Sequence, residues 1–282
     1  MKIGFYGAGK VGFSLGKYFS INGLSVTGYY NRNPESARDA AAFTNTRYFD
    51  NVEELIRESD CIFLTVSDGA VKKVYDSLKS PLISGKIFCH CSGSLSAEEV
   101  FSDIADFGAC ACSVHPLFPV SSRYESYKEL HKAFFCIEGD NSCSSLRTDI
   151  FNKLGNPVRE ISPQSKIKYH AACSVISNLF CALAKESLSL MSECGFSENE
   201  AASALYPLAK NNLENVFSVG PVSAMTGPIE RNDIETVRRH IASIDDPLIL
   251  DTYISASRQL VEMAQQRHPE TDYSGMRELL NK

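Results

Sequence analysis

The stretch Lys2-Ile3-Gly4-Phe5-Tyr6-Gly7-Ala8-Gly9-Lys10-Val11-Gly12 decides how the rest of the chain is read. Five residues of strand character run directly into G-x-G-x-x-G, and the apolar spacing from Val11 to Ile21 is helical. In that setting each glycine has a task. Gly7 permits the tight turn, Gly9 lets backbone approach a pyrophosphate, and Gly12 lets the helix lie close on the strand. The helix then turns its N–H groups and positive end toward phosphate. Gly7, Ala8, Gly9, Lys10, Val11 and Gly12 are expected to hold a dinucleotide, with a purely structural turn as the alternative.

The end of the second strand bears on which dinucleotide. A site for NAD usually places Asp or Glu there to hold the ribose hydroxyls. Here the residues are Tyr29-Tyr30-Asn31-Arg32-Asn33, with no acid before Glu35. Arg32 can grip a 2′-phosphate bidentately, and Asn31 and Asn33 can donate beside it. The reading favours NADP(H) over NAD(H); a solvated turn arginine is the alternative. Farther on, Val66-Ser67-Asp68 follows the third clear strand at the edge where ligands sit in such sheets. Asp68 is expected to contact the nicotinamide side or to cap the next helix, the commoner use of Asp there.

Around this turn, short apolar runs alternate with amphipathic stretches. Strands are predicted at 2–6, 25–30, 61–66, 86–90, 109–114 and 133–138, and helices at 11–21, 34–43, 52–58, 70–78 and 97–105. The alternation predicts an α/β fold with a Rossmann-type doubly wound parallel sheet over residues 1–160. From Gln164 to Cys194 the pattern becomes one long helix, rich enough in Ala, Val, Leu and Phe to be largely buried, ending at Gly195. Further helices are predicted at 197–216, opened by Ser197 with Glu200, and at 233–242 and 247–266. Residues 161–282 are therefore read as a second, all-α domain.

Composition narrows the function. The 282 residues are 44% hydrophobic and 22% charged, with net charge −6 and no dense basic run. That argues against nucleic acid or an anionic membrane as main partner. The N-terminus lacks the apolar core of a signal peptide, and no run of ~20 apolar residues is evident, so a cytoplasmic location is expected. The ten cysteines are then thiols. Cys89/Cys91 and Cys110/Cys112, with His90 and His115, invite a zinc reading. Each pair is C-x-C rather than C-x-x-C, so packed thiols are favoured and no metal is expected.

Three segments carry candidate chemistry. His90-Cys91-Ser92-Gly93-Ser94 and Val114-His115-Pro116-Leu117-Phe118-Pro119 sit at strand ends bordering the crevice. His115 suits proton transfer near neutral pH, and Ser92 or Ser94 can orient a substrate oxygen. The alternatives are a buried, hydrogen-bonded His115 and helix-capping roles for Ser94 or Ser96, capping being favoured for the serines. Lys166, His170, Ser174 and Asn178, spaced by four, make one polar stripe on the long helix. It faces water or lines a cleft; in a cleft, Lys166 is the candidate acid or base and Asn178 orients substrate. In Met225–Asp233, Arg231 is a candidate for a substrate carboxylate or phosphate, against a solvated loop arginine with Asp233 as a helix cap.

Together, GAGKVG, NRN, CSGSLS, VHPLFPV, IEGD at 137–140, KIKYHAACSVISN and TGPIERND resemble, over nearly the full length, a family of Rossmann-like NADP oxidoreductases. The C-terminal helical half of that family, which is similar to the C-terminal region of 6-phosphogluconate dehydrogenase, is catalogued only as a domain of unknown function. Related groups are pyrroline-5-carboxylate reductases, β-hydroxyacid dehydrogenases and deazaflavin-dependent NADP reductases. His115–Phe118 is also similar to the His-Pro-Met-Phe segment of prephenate dehydrogenases, where the histidine contacts the substrate hydroxyl beside a serine that Ser92 or Ser94 would match. Lys166 with His170 and Asn178, all candidates for catalysis, resembles the interdomain lysine and asparagine of β-hydroxyacid dehydrogenases, where the lysine is the acid/base. The chain departs from both: Pro119 replaces the prephenate-type glycine, and the β-hydroxyacid substrate motif is missing.

The combined expectation is an NADP-dependent oxidoreductase passing a hydride to or from a small carbonyl/hydroxyl or imine/amine substrate in an interdomain cleft. Its rival is a non-catalytic NADP(H)-binding sensor or scaffold. The long apolar helices further lead us to expect a homodimer.

Overall fold

In the computed structural model, which describes residues 1–143 and 146–281, the opening strand lies third from one edge of an eight-stranded sheet. The strands are β1 (Lys2–Tyr6), β2 (Ser25–Tyr30), β3 (Arg47–Tyr48), β4 (Cys61–Leu64), β5 (Ile87–His90), β6 (Cys110–Leu117), β7 (Phe134–Gly139) and β8 (Val158–Glu160). Their order is β3-β2-β1-β4-β5-β6-β7-β8. β1 to β6 are parallel; β7 turns back antiparallel to β6, and β8 pairs parallel with β7. The 3-2-1-4-5-6 order puts its reversal between β1 and β4, so the carboxyl ends of those strands open a crevice.

Both faces of the sheet are covered, which is why its strands read as unbroken apolar runs. In β4, Cys61 and Phe63 join Ile3, Phe5, Cys89 and Cys112 in one core, while Ile62 and Leu64 join Phe88 and Ala111 in the other. Helices α1 (Lys10–Ile21) and α2 (Pro34–Thr44) close the first layer with Phe13, Leu15, Phe19 and the small face Ala37, Ala40 and Ala41. Helices α3 (Val52–Glu58), α4 (Asp68–Leu78) and α5 (Ala97–Val100) close the second with Leu55, Ile56, Val71, Tyr75 and Val100. The helix expected over 97–105 stops at Val100 and resumes as a 3-10 turn, Ile104–Phe107, ended by Gly108 at φ +70°.

The chain divides into two compact units, Met1–Ile176 and Ser177–Lys282, with the division inside helix α6 (Lys166–Glu193). The second unit continues with α7 (Glu198–Val219), α8 (Ile234–Ser243), α9 (Pro247–Arg267) and α10 (Ser274–Leu280). Ser197 and Glu200 form the expected capping box, and Asp233 caps α8 by accepting from Thr236 N at 3.0 Å. This unit's core is Met225, Ile229, Val237, Val261, Ala264, Tyr273, Met276 and Leu280.

The long helix departs from expectation. Read as largely buried, α6 buries one residue, and that residue is the charged Lys166. Val175, Ile176, Leu179, Phe180 and Leu183 are exposed, because their apolar residues ring the helix and a single chain offers no cover on most sides. The segment Pro163–Glu193 is also long and apolar enough, by length and composition, to cross a membrane, which the reading by apolar runs missed because polar residues interrupt it.

Candidate active site

The glycine-rich turn is built as its spacing requires. Gly7 has φ +117°, and a Cβ there would meet the Thr65 backbone at 2.8 Å. A Cβ on Gly12 would lie 2.5 Å from Thr65 Oγ1 and 2.6 Å from Gly7 O, so α1 sits where it does only because Gly12 has no side chain. At Gly9 the nearest atom to such a Cβ is 3.8 Å away, leaving ordinary space beside the backbone. Thr65 locks the turn, donating from Oγ1 to Gly7 O at 2.9 Å. Gly9 is the N-cap of α1, which has neither a side-chain cap nor an acid in its first turn. The positive end of the helix is left for an anion.

A cavity of about 410 Å³ lies against that turn, lined by Gly7, Ala8, Gly9, Asn31, Arg32, Val66 and Ser67 among others. Lys73, on α4, lines it too. Sequence reading passed over this lysine because nothing local distinguishes it from any exposed helical lysine. Lys10, Val11, Gly12, Asn33, Asp68 and Ser92 are outside the lining. Asn33 instead caps α2, its Oδ1 accepting from Glu35 N at 3.1 Å, and Asn31 Nδ2 donates to Asn33 O at 3.1 Å.

Asp68 does not cap α4. Ser67 holds the N-cap position, and the Asp68 carboxylate accepts from Ser92 Oγ at 2.7 Å and Ser94 Oγ at 3.2 Å. Nor do those serines cap α5, a role taken by Ser96 in a capping box with Glu99. Asp68 therefore clamps the 92–94 loop, which also folds on itself through Ser94 N and Leu95 N donating to Ser92 Oγ.

Register across the sheet assembles the rest. Tyr6, Leu64, His90, Ser113 and Glu138 are successive partners on β1, β4, β5, β6 and β7, one row at the carboxyl edge. Lys166, 1% exposed, reaches this row: its Nζ donates to Ser92 O at 2.9 Å and to Ser113 Oγ. Glu138 is 2% exposed; Oε2 accepts from Ala97 N at 2.8 Å, and Oε1 has no hydrogen-bond partner among the described residues. Burial lowers the Lys166 pKa, opposed first by the Glu138 charge, and burial raises that of Glu138, opposed by the Ala97 N–H and then by Lys166. The two are mutual counter-charges in a dry row.

Two residues along β6, His115 Nδ1 is 2.7 Å from Tyr169 OH, and its ring stands 6.1 Å from that of His170 at 79°. Gly93 is wedged against both imidazoles: a Cβ would meet His170 Cδ2 at 2.4 Å and His115 Nε2 at 2.9 Å. Burial, then the charges of Lys166 and His170, pushes His115 down to about 4, and burial does the same for His90. Both imidazoles are neutral at pH 7, so His115 titrates well below the range its residue type led us to expect.

The site thus brings together Ser92, Ser94, His115, Lys166 and His170, and adds Tyr169 and Glu138, which sequence reading did not single out. Asn178 and Arg231 fall in the second unit, both exposed. Cys89 and Cys112 face each other at 3.4 Å across neighbouring strands, whereas Cys91 lies beyond β5. Among the described residues, no group of three or more His, Cys, Asp or Glu is placed to hold a metal ion.

Comparison with known proteins agrees with the motifs. Residues 2–92 match the family described as NADP oxidoreductase, coenzyme F420-dependent, and residues 133–260 match a domain of unknown function, DUF2520. The chain therefore joins these two segments, as its motifs led us to expect. Protein TM1727 from Thermotoga maritima shares the fold at TM-score 0.72 and 24% identity, over 94% of this chain and 99% of that one. An imine reductase from Pseudomonas sp. does so at 0.63 and 20%, over 99% and 91%. The Plasmodium falciparum pyrroline carboxylate reductase with NADP bound does so at 0.60 and 16%, over 94% and 98%. No curated protein matches the chain.

Proposed function

We propose that the chain is an NADP(H)-dependent oxidoreductase acting on a small imine/amine or carbonyl/hydroxyl substrate. The observation that carries this reading is one cavity on which an uncapped helix N-terminus, the bare Gly9 backbone and two cations, Arg32 and Lys73, converge. Diphosphate fits the first two and a 2′-phosphate the cations. Bound there, the cofactor would supply or accept a hydride. An imine is placed first because proteins described as imine and pyrroline carboxylate reductases share the fold.

The remaining work falls to the row beside the 92–94 loop. Lys166 fixes that loop from beneath and brings a positive charge to it. His115, neutral and with Tyr169 on Nδ1, can give a proton from Nε2 while taking one from the tyrosine hydroxyl. Ser94 and His170 flank the position a substrate would take. Asn178 and Arg231 are given no part. A second reading, a non-catalytic NADP(H) sensor, is favoured by Lys166 itself: at 1% exposure, with its ammonium bonded to Ser92 and Ser113, it looks structural.

Calorimetric titration of both cofactors into wild type and Arg32→Ala tests the core of the proposal. We expect the substitution to weaken NADPH by about 10- to 100-fold and NADH little, from loss of a bidentate phosphate contact. Equal losses for both would sink the assignment. The same samples, followed for NADPH oxidation against cyclic imines, separate the readings, since firm binding without turnover leaves the sensor.

We further propose that a second copy of this chain covers the apolar faces of α6 and α7. Twelve large apolar residues from Ile167 to Val219, including Phe180, Leu183, Tyr206 and Phe217, are exposed on these helices and the turn into α7. Phe180, Leu183, Tyr206 and Leu208 among them line a hollow of about 660 Å³ within the second unit, and Leu183 also lines one of about 310 Å³. The side chains present on the order of 1,000 Å² of apolar surface, comparable with one side of a stable dimer interface.

A further inference from the structure

Five of the ten cysteines lie in close thiol contacts. Cys61 and Cys89 lie 3.6 Å apart, Cys89 and Cys112 3.4 Å, and Cys143 and Cys110 3.2 Å. The first three are interior, at 1% exposure or less, on neighbouring strands in the core closed by α1 and α2. Cys110 differs: it opens β6 and is only half-buried, so a small solute can reach it.

Cys143 is brought to Cys110 by the backbone. After β7 the chain must turn back across β6, and Gly139 makes this possible at φ +138°, where a Cβ would meet Ala111 O at 2.6 Å and Cys112 Cα at 2.7 Å. Asp140 N then donates to Ala111 O at 3.2 Å, and Cys143 N to Asp140 O at 3.0 Å. The 141–143 turn is three residues long. It can yield the roughly 1 Å that separates a 3.2 Å contact from a covalent S–S bond of about 2.05 Å.

We infer that Cys110 and Cys143 form a reversible oxidation site, closed to a disulfide by a peroxide-class oxidant. Cys110 loses its proton, and the thiolate attacks the peroxide. An S–O bond forms, the O–O bond breaks, and hydroxide leaves as water with the released proton. Cys143 then attacks the sulfenic sulfur: the S–S bond forms, the S–O bond breaks, and a second water departs with the Cys143 proton. The two sulfurs lose two electrons, the peroxide gains them, and a dithiol reverses the change. Cys112, also within reach of Cys143, is the competing partner.

The test uses full-length protein carrying Cys181→Ser and Cys194→Ser, which removes the two exposed thiols. After brief treatment with dilute hydrogen peroxide we expect two thiols per chain to disappear and to return with dithiothreitol. Peptide mapping should find a 110–143 link, and closure of a loop of about 33 residues should raise Tm by about 5 °C. Cys143→Ser, or Cys143→Ala if that folds better, should lose the link and leave Cys110 reactive to dimedone. An unchanged thiol count, or a link from Cys110 to Cys112 in place of Cys143, would overturn the inference.

Discussion

His90 and His115 are held neutral by the same cause, removal from water, and this has a price in acid. His90 is 1% exposed, its Nδ1 accepts from Ser92 N at 3.2 Å, and its pKa falls from 6.5 to about 4. His115 falls equally far, from burial and then from the charges of Lys166 and His170. Well above pH 6.5 both imidazoles are neutral in both states. Between pH 6.5 and 4 the unfolded chain takes up protons that the folded chain refuses, so stability falls with pH across that window. Each histidine should cost on the order of 2–3 kcal/mol by pH 4.5. Urea midpoints at pH 7 and 4.5 should therefore draw apart, and by less in His115→Gln; an identical drop in that variant would remove His115 as a contributor. In sequence His115 read either as a group poised near neutrality or as a buried, hydrogen-bonded residue, and what the sequence did not give was the partners that bury it. Tyr169, Lys166 and Glu138 come to it from 54, 51 and 23 positions away, and only sheet register and the entry of α6 join them.

Among the elements, those with a strong period or a fixed chemical task were legible. The turn from β1 into α1 has the three glycine roles its spacing implies, and the contrast between two of them is measurable. Gly12→Ala puts a methyl 2.5 Å from Thr65 Oγ1 and should destabilise by about 1–3 kcal/mol as α1 is forced outward. Gly9→Ala meets nothing closer than 3.8 Å and lies at φ −83°, so stability should change by less than about 1 kcal/mol. NADPH affinity should nevertheless fall about tenfold or more, because the methyl occupies the approach to the diphosphate. Chemical denaturation with cofactor titration on the two variants decides it; a stable, tightly binding Gly9→Ala would refute the phosphate role of that backbone. What sequence missed were elements too short to show a period. β3 and β8 have two and three residues and exist because longer neighbours offer an edge. α10 is a seven-residue helix stabilised by burying Met276 and Leu280 in a core made of distant segments.

At the scale of the whole molecule, α6 and α7 pose the question that a single chain does not answer. Periodicity correctly called them helices and their composition implied burial, yet α6 buries only Lys166 and α7 only Ala201. Leaving a Leu or Phe side chain in water forgoes about 1.5–3 kcal/mol each, so Leu179, Phe180, Leu183 and Phe217 represent a large unmet drive toward association. A lipid bilayer and a second chain are the two ways of meeting it. The bilayer fits poorly, because the candidate span has Lys166 bonded to the sheet of the first unit at one end and Lys185, Glu186 and Glu193 within its last turns. A partner helix pair needs no such exclusion of charge. Sedimentation at micromolar concentration should give twice 31.1 kDa, and Phe180→Asp with Phe217→Asp should shift it to 31.1 kDa while leaving NADPH binding to the first unit within about threefold, since the cofactor cavity shares no residue with these helices. A wild-type chain that sediments as monomer, or that partitions into membranes on expression, would show that something other than its own copy covers these helices.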